Sequence, residues 1–531
     1  MRANPTVAAL VLLVACEPAP LPSPTFEDAS ACGSCHPLQE AEWRGSIMHY
    51  AAASPVFNAF ELTVQKLTDG RFSPNGDSPN FCNGCHSPTG VYDDEVAPFE
   101  SVESAEPMRT GLSPVALDGL SCDFCHTIQG PDAQGSLKGD GIANMALFYA
   151  PTRVKVGPLE RPAPNPYHPS ASSAYLQQSA FCGACHDVRL PVPDVLTGEP
   201  FQRLENLYSE WLAGPYNGSD NPLGRPVSCQ DCHMSLYPVE PPGTYATTAV
   251  SRTSPDLLRQ HANHAFTAVS IPLVDDPRFP STHTDAVDDW GYPLGQQARR
   301  EAMLRAAVTL ELSAVPSAIE PGAAELPLEL TVTNTGAGHR VPAGFSQERE
   351  VWIELVVRDD VGELYASGTL EDHAHPETGE LAPDGRLDDE DLRDHHFEID
   401  VDTFATHYVP GPDVDQRPER NLGLVNFQNA FVRVLPDGTQ ERVLNPLEAS
   451  SMDNSRSLPI LEPVTVRYDV PLPPRELVGA VRIDTRLRYR AFPPEFLRFL
   501  AQREPELVSE DTVDRNTIVD MAEASATIAV P

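Results

Sequence analysis

Five short motifs limit what this chain can become. Each is a Cys-x-x-Cys pair followed at once by His: Cys32-Cys35-His36, Cys82-Cys85-His86, Cys122-Cys125-His126, Cys182-Cys185-His186 and Cys229-Cys232-His233. They use all but one of the 11 cysteines. Two thiols at this spacing lie about one helical turn apart, which matches the two vinyl groups on one porphyrin edge, and the adjacent imidazole then reaches the iron. Zinc ribbons pair their knuckles at shorter, regular separations and need no His after each. Redox dithiols usually occur singly, and a disulfide framework explains no His. His is 16 of 531 residues, so five chance occurrences have a probability on the order of 10⁻⁸. The motifs predict five covalently bound haem c groups. The ten cysteines are the attachment points, and His36, His86, His126, His186 and His233 are the proximal ligands.

Eleven other histidines compete for the sixth positions. Those before residue 340 form the natural pool: His49, His168, His261, His264, His283 and His339. His339 sits in a turn between two strand-like runs, where Gly336, Gly338 and Gly344 let the backbone approach a porphyrin closely. The bland reading of each is a surface or turn His. His373, His375, His395, His396 and His407 lie in acidic, loop-like sequence and are expected to stay free. Met48, Met108 and Met234 are weaker candidates.

The formal charge is −39, which excludes nucleic acid as a partner, because phosphate binding needs a cationic face. Such a charge would steer the protein towards redox partners with basic docking surfaces. Carboxylates crowd between Asp384 and Asp402. A solvated loop is the first reading there and a calcium site the second.

The first 16 residues carry one Arg and a short apolar run from Val7 to Val14, the shape of a secretory signal. The run ends in Leu13-Val14-Ala15-Cys16, like a bacterial lipoprotein signal. Cys16 is therefore the expected lipidation site and the membrane anchor. Four segments are expected: a signal peptide (1–16), a Pro-rich tether (17–30), a pentahaem domain (31–303) and a β-sandwich (304–531). In the third, Val56–Leu67 and Leu204–Leu212 read as amphipathic helices. In the fourth, apolar residues alternate at Leu326–Val332, Ile353–Val357, Val464–Val470 and Val481–Tyr489, and Pro436-Asp437-Gly438 reads as a hairpin turn. The fold class is α+β and multidomain, a loop-rich, mainly helical haem domain followed by an antiparallel immunoglobulin-like sandwich.

Longer phrases carry a resemblance. Cys32–His36 is followed by Trp43 and by Ser46 and His49. Gln178–Val188 is preceded by His168. Tyr208–Tyr216 leads into Cys229–Met234, and Gly338–Gly344 is followed by Arg349–Ile353. These resemble exported multihaem c-type cytochromes related to hydroxylamine oxidoreductase and pentahaem nitrite reductase, well over 31–270 and fairly over 305–370. The resemblance implies closely packed haems, mostly bis-His ligated. The nitrite reductases place Lys after the catalytic Cys pair, whereas all five motifs here end in His. The special cross-linked haem of the oxidoreductases has no match. Electron transfer between redox partners is thus the expected function, at the periplasm or cell surface and on the outer membrane. The alternative is an oxidoreductase with one open-site haem acting on a small nitrogen or sulfur compound.

Overall fold

The computed structural model describes residues 25–71, 81–279, 282–369, 425–443, 445–454 and 456–530. Cys16, most of the tether and the acidic run 384–402 lie outside these residues. No helix among the described residues is long and apolar enough to cross a membrane.

Up to residue 279 the chain is short helices and two-stranded ribbons strung on loops. The longest helix among the described residues, Pro55–Thr68, shows why these segments form where they do. Ser54 Oγ accepts the Phe57 N–H at 3.3 Å and caps the N-terminus. Pro55 supplies a preset φ in the first turn. Asp69, at φ +53°, ends the helix in the left-handed region, and the Gly70 N–H closes on the Gln65 carbonyl at 2.9 Å. Its Val56 and Ala59 pack on Phe496, Leu497 and Leu500 of helix Pro494–Arg503, which belongs to the far end of the chain. Lys66 pairs with Glu504 at 2.8 Å across the same contact.

From Val308 onward seven strands dominate: Val308–Ala314, Glu325–Asn334, Glu350–Arg358, Glu363–Ser367, Pro463–Pro471, Ala480–Arg490 and Val519–Ala529. In chain order, the fifth, second and first form one antiparallel sheet, and the fourth, third, sixth and seventh form the other, with the short strand Val425–Asn426 also paired to the third. The two sheets bury their facing sides in one cluster, with Leu326, Leu328, Leu330 and Val466 from one and Val351, Ile353, Leu355 and Ile483 from the other. Burial of this kind contributes roughly 25 cal/mol per Å² of apolar surface, so this cluster is the main hydrophobic anchor of the fold.

The hairpin around Pro436-Asp437-Gly438 forms as expected, from Ala430–Val434 and Gln440–Val443. It stands outside the two large sheets. With Ser451–Asp453 it makes a third small sheet, whose Phe431 and Met452 pack on Val64 and Leu190 of the motif-bearing part. Asp194 accepts from the Ser451 hydroxyl at 2.8 Å and from the Met452 N–H at 3.0 Å. Helix Gln296–Ala307 runs straight into strand Val308–Ala314, so residues 303 and 304 sit inside one continuous element and join the two parts stiffly.

Candidate functional site

Each motif occupies a single helical turn. The His36 N–H donates to the Cys32 carbonyl at 2.8 Å, and the same bond joins His126 to Cys122 at 3.0 Å and His186 to Cys182 at 2.9 Å. Ser121 and Ser228 cap two of these turns through their hydroxyls. Both cysteines and the histidine of all five motifs line one continuous cavity of about 2160 Å³. Ordinary ligand pockets span roughly 300–1,000 Å³, so this space is cut for something much larger.

Four motif imidazoles are held in the same way. Nδ1 faces a backbone carbonyl: His36 to Val250 at 3.0 Å, His86 to Ala51 at 3.1 Å, His126 to Val156 at 2.7 Å and His233 to Thr267 at 2.8 Å. A carbonyl only accepts, so Nδ1 carries the proton and the Nε2 lone pair is left for a metal. Burial keeps these rings neutral. It pushes His86 and His186 down to about 4, and His36, His126 and His233 below the usual range. Behind His186, the fully buried Asp187 accepts from Arg203 at 2.7 Å and from Arg189 at 3.2 Å, pinning the turn after the fourth motif.

The ten thiols are unbridged. Three pairs touch across motifs: Cys32 with Cys122, Cys182 with Cys229, and Cys85 with Cys185. Burial raises the Cys125 and Cys232 thiols to about 12. Among the described residues one group of three or more His, Cys, Asp or Glu side chains has metal-ligand proximity, Glu42 with His261 and His264. No motif cysteine belongs to it. Paired thiols at one edge, a neutral imidazole with a free Nε2 and a large shared cavity fit haem c.

The other predicted histidines separate by place. His168, His261, His264 and His339 line the cavity. His339 Nδ1 donates to the Arg340 carbonyl at 3.0 Å, and burial holds the ring down to about 4. Its turn is braced from both sides. The Gly336 N–H meets the Ala307 carbonyl at 3.0 Å, Asn334 Nδ2 meets the His339 carbonyl at 2.7 Å, and the Arg340 N–H meets Glu210 Oε2 at 2.9 Å. His264 faces His126 with ring centres 6.4 Å apart. His168 Nδ1 lies 3.3 Å from the Pro169 carbonyl. His261 Nε2 is 2.8 Å from both Glu42 oxygens. His49 lies off the cavity wall between Trp43 and Phe279, its Nδ1 3.0 Å from the Arg44 carbonyl and its Nε2 3.1 Å from Asp118. His283 is exposed beside Gln297.

Sequence reasoning did not single out Glu42, Glu205 or Glu210. Burial pushes the Glu205 and Glu210 carboxyls up to about 7. A lone carboxylate in a half-helical segment carries no motif, so only tertiary contacts expose it.

Comparison with known proteins bears on the first motifs and on the fold. Residues 31–127 match the model of the cytochrome c554 and c-prime family. No curated protein matches the sequence. The whole chain is similar in fold to the penta-heme cytochrome c552 from Thermochromatium tepidum, with a TM-score of 0.53 and 17% identity, over 95% of this chain and 100% of that one. What this chain is similar to, in its first three motifs and in its fold, is a multihaem c-type cytochrome.

Proposed function

We propose that this protein is a pentahaem c-type cytochrome that passes electrons between redox partners. One observation carries the reading: fifteen motif side chains, ten thiols and five imidazoles, converge on a single cavity. The ten cysteines would hold the porphyrins by thioether bonds, and His36, His86, His126, His186 and His233 would be the proximal ligands. Haem c supplies one-electron Fe(III)/Fe(II) cycling. The residues of this chain set burial, ligand orientation and spacing.

The thiol contacts support a branched order. The fourth motif touches the second through Cys185 and the fifth through Cys182, and Cys125 of the third packs in one apolar cluster with Phe181 and Ala184 at the fourth. The first motif joins through Cys32 and Cys122. The fourth motif is then the junction of the path. His168, His264 and His339 are the distal ligands this geometry favours, His339 arriving from the strand-rich part. That part would be an immunoglobulin-like sandwich, a reading supported by its two antiparallel sheets sharing one core. Export, a lipid at Cys16, residence on the outer membrane and basic partners complete the proposal, on the sequence features that suggest them.

A second reading has its own support. Among the described residues four non-motif histidines line the cavity against five motifs, and His261 is taken by Glu42. Phe57 also stacks flat on His86, with centres 3.5 Å apart and planes within 3°. One haem with an open sixth position would then act on a small nitrogen or sulfur compound.

The test is spectroscopic. A pyridine haemochrome assay on protein exported with its maturation machinery, with intact-mass measurement, is expected to give five haems per chain. A colourless chain with ten titratable thiols would overturn the reading. All-low-spin ferric haems that bind no CO on reduction favour electron transfer alone, whereas a high-spin haem that binds CO favours the open site.

A further inference from the structure

Glu42 lies in helix Pro37–Arg44, which begins directly after the first motif, yet its carboxylate serves a segment more than two hundred residues away. Oε2 accepts the His264 backbone N–H at 3.0 Å. Both oxygens accept from His261 Nε2 at 2.8 Å. The Gln39 amide nitrogen, which can only donate, stands 3.5 Å from His261 Nδ1. The His261 proton is therefore on Nε2, and this imidazole acts as a donor to Glu42 and not as a ligand facing the cavity.

His264 is placed differently. Its ring centre is 6.4 Å from that of His126. Two imidazoles bound to one metal from opposite sides, with metal–nitrogen bonds of about 2.0–2.1 Å, put their ring centres about 6 Å apart. The Nδ1 atom of His264 is buried with no partner at ordinary hydrogen-bond distance, the Ala262 carbonyl is the backbone acceptor beside the ring, and the nearest carboxylate oxygen, Glu42 Oε2, is 3.9 Å away. A shift of about 1 Å closes that gap to a hydrogen bond.

We propose that Glu42 is the positioning residue of His264, taking the Nδ1–H of that imidazole while its Nε2 is turned to the iron held opposite by His126. The inference rests on the pentahaem reading. His36, His86, His126, His233 and His339 give Nδ1–H to neutral carbonyls. His264 would give it to an anion. A carboxylate behind a ligating imidazole fixes its orientation and raises its basicity, which stabilises the ferric state. The third haem should then have a lower midpoint potential than the same site without Glu42.

Potentiometry and EPR on the five-haem protein test this. In unaltered ferric protein, one low-spin haem should show a stronger axial ligand field than the others. Glu42→Gln should abolish that signature and move one midpoint potential upward, leaving the other four in place. Glu42→Asp should restore part of the shift. Alike ligand fields in the unaltered protein, or five unmoved potentials in Glu42→Gln, would overturn the proposal. So would one zinc per chain that Glu42→Gln releases with the potentials unmoved, since Glu42, His261 and His264 offer ligand atoms within 4.8 Å of one another. Absence of haem in the unaltered protein would instead defeat the pentahaem reading itself, so the two failures are distinguishable.

Discussion

Glu205 lines the cavity, Glu210 holds the Arg340 N–H beside His339, and both residues are half-buried. Desolvation is the first cause of their raised values, about 7 in each case against an ordinary 4.5. The sign of the consequence follows from linkage. Below about pH 4.5 both carboxyls are protonated whether the chain is folded or not, and their contribution to stability is fully present. As pH rises from there to about 7, the unfolded chain ionises while the folded one keeps its protons, and stability is lost. The melting temperature of the holoprotein should therefore fall across that window, and the Glu205→Gln, Glu210→Gln double variant should flatten the fall. Parallel curves for the two proteins would mean that these carboxyls are solvated after all. The buried histidines act in the opposite sense, since burial lowers them and acid must charge them. Without iron, His86, His186 and His339, held down to about 4, would lose their contribution as pH falls from about 6.5 to about 4, because the unfolded chain takes up the protons first.

The turn that carries His339 shows how an element can be fixed by backbone contacts alone. A Cβ on Gly336 would lie 1.9 Å from the Ala306 carbonyl oxygen, whereas one on Gly338 would meet Trp211 at 3.4 Å, near ordinary contact. Gly336→Ala must push backbone apart, at a cost of about 1–3 kcal/mol. It should lower the melting temperature and reduce the low-spin haem signal by one centre. Gly338→Ala should do neither, and equal behaviour of the two variants would show that the turn is not braced on helix Gln296–Ala307. The sequence announces this turn through its glycines, but not which glycine is crowded. The same division holds elsewhere. Pro463–Pro471 was legible because Val464, Val466, Tyr468 and Val470 are buried while Thr465, Arg467 and Asp469 face solvent. Glu350–Arg358 was legible on one face only. Trp352 and Val356 are buried as well, Trp352 beneath the guanidinium groups of Arg488 and Arg490, so the alternation runs past Ile353, Leu355 and Val357. Leu204–Leu212 reads as one helix from its leucines, yet it divides. Gln202–Glu205 pairs as a strand with Val188–Leu190, and the helix starts at Leu207. Strand pairing with a distant partner overrides local periodicity there. The five motifs are legible because thioether chemistry needs adjacent residues. The residues opposite them come from remote segments, and Glu42 meets His264 across more than two hundred positions.

At the scale of the whole molecule, charge decides more than shape. The chain carries −39 before any cofactor is counted, and five haems would add two propionates each. Ion pairs absorb some of this locally, as Arg203 and Arg189 do at Asp187. They do not cancel an excess of 76 acidic over 37 basic residues. A field of one sign reaches about 30 Å into solution at 0.01 M ionic strength and about 10 Å at 0.1 M. A basic redox partner would be drawn in from that distance, and its association rate should fall by about tenfold or more between those two salt concentrations. Stopped-flow reduction by a cationic and by an anionic small cytochrome, measured across the series, separates the cases. The cationic donor should slow with salt and the anionic donor should speed up. Equal, salt-independent rates for both would mean that electrons enter at a locally neutral haem edge, where the excess charge lies too far off to steer the encounter.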